Sequence, residues 1–340
     1  MKHNTTTGLL AGLAMMAVLS TGCKNNAGSD QQPAAAGTAA ATPKVTNVPQ
    51  FDADSAYAHI ARQVAMGPRT PGSAAQKQCA AWMEAALKKV CDTVYRQDAQ
   101  VAGGDHRSLP CINLVGVINP GASRRILFLT HWDSRPWADQ DTQDKDKPIL
   151  AADDAGSGVG VLLEVARALR SKGLPQDIGV DILMEDVEDY GRSEWGEESY
   201  CLGTQYWARH PHVAGYKAMF GILLDMVGAK GAQFPLEGIS ARYAGDVQQM
   251  IWKSAANAGY SSYFPYVPAD DITDDHVPVN AITGIKTVDI INLTSDPEHP
   301  FAAHWHTHAD DMNIIDKNTL KAVGQTLLQV IYEQAAHGAM

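Results

Sequence analysis

Three apolar runs in this chain each stop at an acid or a histidine, and that pattern leaves few folds open. Ile126 to Thr130 (ILFLT) is followed by His131, Trp132 and Asp133. Ile178 to Met184 (IGVDILM) is followed by Glu185, Asp186, Val187, Glu188 and Asp189. Phe220 to Leu224 (FGILL) is followed by Asp225. Near-continuous apolar runs are what strands buried on both faces require. Helical patterns lie between them: 158–169, 246–258 and 318–336, with two more at 52–66 and 73–90. Ser73 is placed to cap the helix at 73–90. Two further strands are expected, at 112–118 before the turn Asn119-Pro120-Gly121 and at 287–293. Alternating strands and helices predict an α/β fold, with a mixed, mostly parallel twisted central sheet and helices on both faces. Some antiparallel pairing is expected near residues 92–130.

In open α/β sheets ligands bind beyond the carboxyl ends of the strands. The residues after each apolar run are therefore the place to look for chemistry. Asp153 and Asp154 precede the helix at 158, and a loop after the last strand holds His299, His304, His306 and His308. Carboxylates with imidazole, and no cysteine among them, suit zinc or a similar borderline metal. The candidate ligands are Asp154, Asp189, Asp225, His131 and His306, enough for one metal with spare acids or for two. Each has a bland reading. Asp154 could cap a helix, Glu188 and Asp189 could be solvated loop charges, and most histidines in such a loop bind nothing. Trp195 and Trp305 could be packing residues. Asp225 is different, because a charge ending an apolar strand must be paired or solvated.

The first 23 residues stand apart. Leu9 to Leu19 is an apolar run of 11 residues, short of the roughly 20 a membrane span needs, and reads as a signal-peptide core. Leu19-Ser20-Thr21-Gly22-Cys23 resembles a bacterial lipobox, with Cys23 as the lipidated mature N-terminus. Residues 24–48 are mostly Ala, Gly, Thr, Pro and Gln without apolar periodicity, a flexible linker. The expected organisation is a leader over 1–23, a linker over 24–48 and a single catalytic domain over 49–340. An exported protein of the periplasm or outer membrane follows, touching the membrane only through lipid at Cys23. The sequence leaves open which membrane carries the anchor. Export permits disulfides, but the spacing of Cys79, Cys91, Cys111 and Cys201 matches no metal motif and fixes no pairing.

A formal net charge of −11 argues against nucleic acid and suits a cationic ligand such as a free peptide amine. The chain has no GxSxG, no GxGxxG after a strand and no phosphate loop, so serine-hydrolase and nucleotide-binding functions lack support.

The ordered set His131-Trp132-Asp133, Asp153-Asp154-Ala155-Gly156-Ser157-Gly158, Glu188-Asp189, Asp225 and His306 resembles the zinc aminopeptidase superfamily. Thr273-Asp274-Asp275-His276-Val277-Pro278 and Trp305-His306-Thr307 are similar to the animal-type glutaminyl cyclases within it. The resemblance runs from about Arg69 to the C-terminus. It implies that Asp154, Asp189 and His306 bind one zinc ion per chain. It implies Glu188 as proton shuttle, Asp225 and Asp274 hydrogen-bonded around it, and Trp195, Phe301 and Trp305 as walls of the substrate pocket. The implied reaction converts the N-terminal glutamine of peptides or proteins to pyroglutamate with loss of ammonia. Animal enzymes carry Glu-Glu where this chain has Glu188-Asp189, and the segment 190–200 looks longer here, which bears on Trp195. The nearest rival is a two-zinc aminopeptidase, with His131 and Asp225 completing a second metal site. A non-catalytic binding lipoprotein is the rival from another class, and an intact Glu188 argues against it. The sequence does not give the oligomeric state; a monomer is the expectation.

Overall fold

The computed structural model describes residue 45 and residues 47–338, apart from residue 297 and the side chains of 337 and 338. The expected leader, the Cys23 anchor and almost all of the linker lie outside the described residues.

Six strands form one sheet: β1 (Thr93–Ala102), β2 (Ser108–Ile118), β3 (Arg124–His131), β4 (Ile178–Glu185), β5 (Phe220–Asp225) and β6 (Thr287–Ile291). Their order is β1-β2-β4-β3-β5-β6. The β1/β2 and β2/β4 pairs are antiparallel, while β4, β3, β5 and β6 run parallel. The expected antiparallel pairing near residues 92–130 is thus the β1–β2 hairpin. The strand order reverses at β3, which has β4 on one side and β5 on the other. Such a switch point opens a crevice beyond the strand ends.

The helices are α1 (Ala53–Val64), α2 (Ala74–Val90), α3 (Gly156–Lys172), α4 (Leu202–Arg209), α5 (Gly238–Asn257), a short α6 (His276–Pro278) that continues as a π turn, and α7 (Lys317–Gly338). Ser73 caps α2, its hydroxyl accepting from the Gln76 N–H. Helices α1, α2, α3, α5 and α7 share one large core with Ile126, Phe128, Val180, Ile182 and Ile222 of the sheet. The opposite face is thinner: Val115, Leu127, Leu129, Leu183 and Leu223 pack there against Trp207 of α4 and Val279. The two-residue period of the strands sends alternate side chains into these two cores. Buried Asp181 also faces the thinner side. Its carboxylate receives Arg125 Nε and Nη2, both at 2.6 Å, and the Tyr216 hydroxyl at 2.7 Å. A buried acid needs this pairing, since an uncompensated charge there is strongly destabilising.

One glycine governs how closely α3 approaches the sheet. A Cβ at Gly158 would lie 2.1 Å from Thr130 Oγ1 and 2.9 Å from the Leu224 carbonyl oxygen. The missing side chain lets the start of α3, and the acids just before it, sit against the ends of β3 and β5.

Candidate active site

The carboxyl ends of β3, β4 and β5, together with two loops, bring the predicted acids and histidines together. Asp154, Asp189 and His306 are buried, and one ligand atom from each lies within 4.8 Å of the others. His306 Nε2 is 3.4 Å from Asp189 Oδ1 and 3.7 Å from Asp154 Oδ2. A second group shares Asp154: His131 Nε2 lies 3.1 Å from Asp154 Oδ1 and 3.4 Å from Asp225 Oδ1. Glu188, Cys201 and Asp274 form a third buried group.

Each ligand is placed by identifiable neighbours. Asp154 does not cap α3, whose N-cap is Ala155 with no side-chain bond. Its N–H and that of Asp153 instead donate to the two oxygens of buried Asp310, at 3.1 and 2.7 Å. Asp153 ties two further loops, accepting from Gly228 N–H and lying 3.0 Å from His304 Nε2. After β4, Asp186 turns back to accept from Ile112 N–H and Gln76 Nε2. Glu188 and Asp189 then turn toward the cavity, their N–H groups donating to the two oxygens of Asp133 at 3.1 and 3.2 Å. Arg135 donates to Asp189 Oδ1 at 2.7 Å and grips Asp139 through two bonds. Asp139 in turn lies 3.4 Å from His306 Nδ1, close enough for an ion pair but not aligned as a hydrogen bond.

Four non-glycine residues beside this site have left-handed backbone: Val187 (φ 59°), Cys201 (φ 55°), Met226 (φ 50°) and His306 (φ 54°). They adjoin Glu188, α4, Asp225 and the histidine loop. Left-handed backbone costs an L-residue roughly 1–2 kcal/mol, so the surrounding structure must impose it.

The electrostatics follow from burial and crowding. Burial opposes a charge on His131, but Asp133, Asp154 and Asp225 outweigh it and hold the imidazole protonated well above its ordinary range. Burial likewise opposes the Asp189 carboxylate, and His306 and Arg135 outweigh it, leaving Asp189 below its ordinary value. Glu188 has no such cation in contact. Burial pushes it well above the usual carboxylate range against the longer-range pull of the His131 charge, and Asp189, Asp274 and Asp275 add to the rise. Asp225 is raised to about 7 by burial and by Asp154, and Asp274 is raised by burial and by Asp225. Buried acids that keep their protons near neutral pH are suited to moving protons.

The donor set fits a divalent cation. Two oxygen ligands and one imidazole converge, and Asp189 Oδ2 is buried with no hydrogen-bond partner. Unpaired buried carboxylate oxygens call for a proton or a cation. Two carboxylates and a histidine are ordinary ligands for catalytic zinc.

The adjoining cavity is small, about 70 Å³, and is lined by Glu188, Asp225, Asp274, Tyr200, Ile272, Phe301 and Trp305 among others. Trp305 stacks on Phe301 at 4.2 Å and on His306 at 3.7 Å between ring centroids. Trp195 lies outside this lining. It packs against Trp137 and Tyr190, and Tyr200, five residues on, lines the cavity instead. Cys201 is a participant that the sequence did not single out: its thiol donates to Glu188 Oε1 at 3.4 Å. All four described cysteines are free and buried. A larger groove of about 790 Å³ lies nearby between residues 230–236, 265–272 and 292–304. It shares Ile272 with the cavity and contains no member of the three buried groups described above.

Comparison with known proteins bears on this arrangement. Residues 113–331 match the family model for peptidase family M28. A crystal structure of Porphyromonas gingivalis glutaminyl cyclase is 48% identical with a TM-score of 0.81, over 84% of this chain and 99% of that one. A Bacteroides thetaiotaomicron structure described as a leucine aminopeptidase precursor is 45% identical with a TM-score of 0.81, over 85% and 99%. A glutaminyl-peptide cyclotransferase from Gloydius blomhoffii is 25% identical over 249 residues, which span 65% of each chain. The chain belongs to peptidase family M28, and within it to the glutaminyl cyclase branch.

Proposed function

We propose that the protein is a glutaminyl-peptide cyclotransferase, converting the N-terminal glutamine of peptides or proteins to pyroglutamate with release of ammonia. The observation that carries this is Glu188: a buried acid whose carboxyl burial shifts well above its ordinary range, beside a three-ligand metal set, in a cavity of about 70 Å³.

The chemistry is intramolecular. The α-amine of glutamine attacks its own side-chain amide carbon, a C–N bond closes the five-membered ring, and the side-chain nitrogen leaves as ammonia. Phe301, Trp305, Tyr200 and Ile272 fold the side chain back and exclude water, so little orientation remains to be lost on the way to the transition state. Glu188 takes the proton from the attacking amine and returns it to the leaving nitrogen. Asp225 and Asp274 keep that carboxyl among acids that share protons rather than all ionise. Zinc, when held by Asp154, Asp189 and His306, supplies a Lewis acid for the amide oxygen.

We further propose one zinc per chain. His131 supports this: both its ring nitrogens lie 3.1–3.4 Å from carboxylate oxygens of Asp133, Asp154 and Asp225, so ion pairs alone account for this second group. The shared Asp154 is the observation that favours the two-zinc aminopeptidase reading. One experiment separates them. Purified protein is given a Gln dipeptide with a free N-terminus and, separately, Leu-p-nitroanilide, with metal content measured alongside. Ammonia release with the peptide bond intact and about one zinc per chain is expected. Release of nitroaniline with two zinc ions would overturn the reading.

We place the protein outside the cytoplasm, in the periplasm or on the outer membrane, lipid-anchored at Cys23. Among the described residues no helix is long and apolar enough to cross a membrane. Cys23→Ser should release the protein from the membrane fraction. A variant that stays with the membranes and an unlipidated wild-type N-terminus would count against the anchor.

A further inference from the structure

Two hollows border the catalytic cavity, and the mechanism above uses neither. The groove of about 790 Å³ shares Ile272 with the cavity. A second hollow of about 670 Å³ shares Phe301 and Trp305 with the cavity, and Thr294, Asp296, Pro300 and Ala302 with the groove. The three spaces thus lie wall to wall around Ile272, Phe301 and the 294–302 loop. A groove of this volume is within the range of sites that bind a ligand. Cyclisation involves only the first residue of the substrate. The rest of the peptide stays attached to it and must leave the cavity across whatever adjoins its mouth.

The groove wall carries one polar group that is fixed in place and left open. Ile291, the last residue of β6, lines the cavity, and the next residue, Asn292, lines the groove. Asn292 is only 6% exposed. Its Oδ1 accepts from the Gln233 N–H at 3.1 Å. That bond sets the orientation of the amide, because of its two ends only the oxygen can accept. The Nδ2 donors, at the other end, have no acceptor among the described residues and are not sealed from solvent. A nearly buried donor held open at a groove wall is suited to a carbonyl oxygen.

The rest of the wall favours a neutral main chain over a charged ligand. Pro235, Pro265 and Pro268 have no N–H to offer. The charge of Lys230 is outnumbered by Asp270 and Asp296, so an anion is poorly served. An extended backbone finds a donor at Asn292 and apolar proline surface beside it.

We propose that this groove binds the peptide main chain that follows the cyclised glutamine, with Asn292 Nδ2 donating to one of its carbonyl oxygens. The preferred substrates are then peptide or protein N-termini longer than two residues. The inference rests on the cyclotransferase reading of the cavity. Three extended residues span at most about 10 Å, so the groove reads the residues just after the glutamine and not the body of a folded substrate.

The test is a length series: the amides of Gln-Ala, Gln-Ala-Ala and Gln-Ala-Ala-Ala. Amidation removes a terminal charge that Lys230, Asp270 and Asp296 would otherwise sense. From dipeptide to tetrapeptide, kcat/KM of the wild type should rise about tenfold, the size of one hydrogen bond with some apolar contact. Most of the gain should fall in KM, as binding shared by ground and transition states does. Asn292→Asp keeps an acceptor for the Gln233 N–H and removes both donors. It should lower kcat/KM on the tetrapeptide about three- to tenfold and leave the dipeptide within about twofold, with the thermal midpoint recorded alongside. A flat wild-type series would overturn the proposal without any variant. Equal loss on dipeptide and tetrapeptide in Asn292→Asp would also overturn it, since the cavity and not the groove would then be disturbed. Ammonia from the dipeptide tests the cyclotransferase reading separately. If the first residue is released instead, that reading fails, and the same length ratio, read on the released residue, still decides whether the groove holds the chain.

Discussion

Glu188→Gln is expected to abolish measurable cyclisation while zinc stays bound and the fold is unchanged. The substitution keeps the size of the side chain and removes only its ability to give and take a proton. General acid–base catalysis contributes about 10²–10⁴-fold in rate, and here one group serves both the attacking and the leaving nitrogen. A fall in kcat at the upper end of that range follows, with KM nearly constant because the cavity walls are untouched. The buried N–H of residue 188 still donates to Asp133, so the loop should hold its course. The measurement is ammonia release from a Gln dipeptide, together with zinc content and circular dichroism. Full activity in this variant would remove Glu188 from the mechanism.

His306→Ala is expected to lose zinc and, with it, activity. The side chain is one of three in the Asp154–Asp189–His306 group. Removing even an outer partner of a metal site costs about 10–100-fold in affinity, so removing a ligand should exceed about 100-fold. His308 is the internal control. It is more exposed and pairs with Asp141 at 2.9 Å, away from the cavity, so His308→Ala should retain both metal and turnover. Zinc affinity by competition with a chelating dye reads the difference directly. Equal zinc binding in the two variants would mean that His306 is not a ligand.

The neighbouring histidines show what the sequence could and could not convey. His304, His306 and His308 look alike in a loop with no periodicity. Their partners, Asp153, Asp189 and Asp141, come from distant parts of the chain, and only the fold separates them. The sheet was more legible, because apolar runs ending in acids report both a buried strand and the place where it meets solvent. The first strand, β1, was legible only as antiparallel pairing somewhere in 92–130, without bounds of its own. Thr93–Ala102 is an edge strand with mostly half-buried or exposed residues, and it lacks the apolar run that marks the others. The helix expected at 246–258 is the second part of α5, which begins at Gly238 and is kinked at Ala244 (φ −142°). Its N-cap is Glu237, outside the Ser, Thr, Asp and Asn set that signals a helix start. Arg135 and Asp139 escaped notice for a related reason. They sit in the long loop after β3, where charges are common and nothing local marks them as supports for Asp189 and His306.

The left-handed residues around the site have a consequence for engineering and for evolution. Val187, Cys201, Met226 and His306 hold a conformation in which glycine would be more comfortable. Relieving such positions is an ordinary route to a more heat-resistant protein. In this enzyme that route leads through the residues that aim Glu188, Asp225 and the histidine loop. Gains in robustness made there would be drawn from the sharpness of the catalytic geometry, and a hardier variant is better sought in the α1–α3–α7 layer, away from the strand ends.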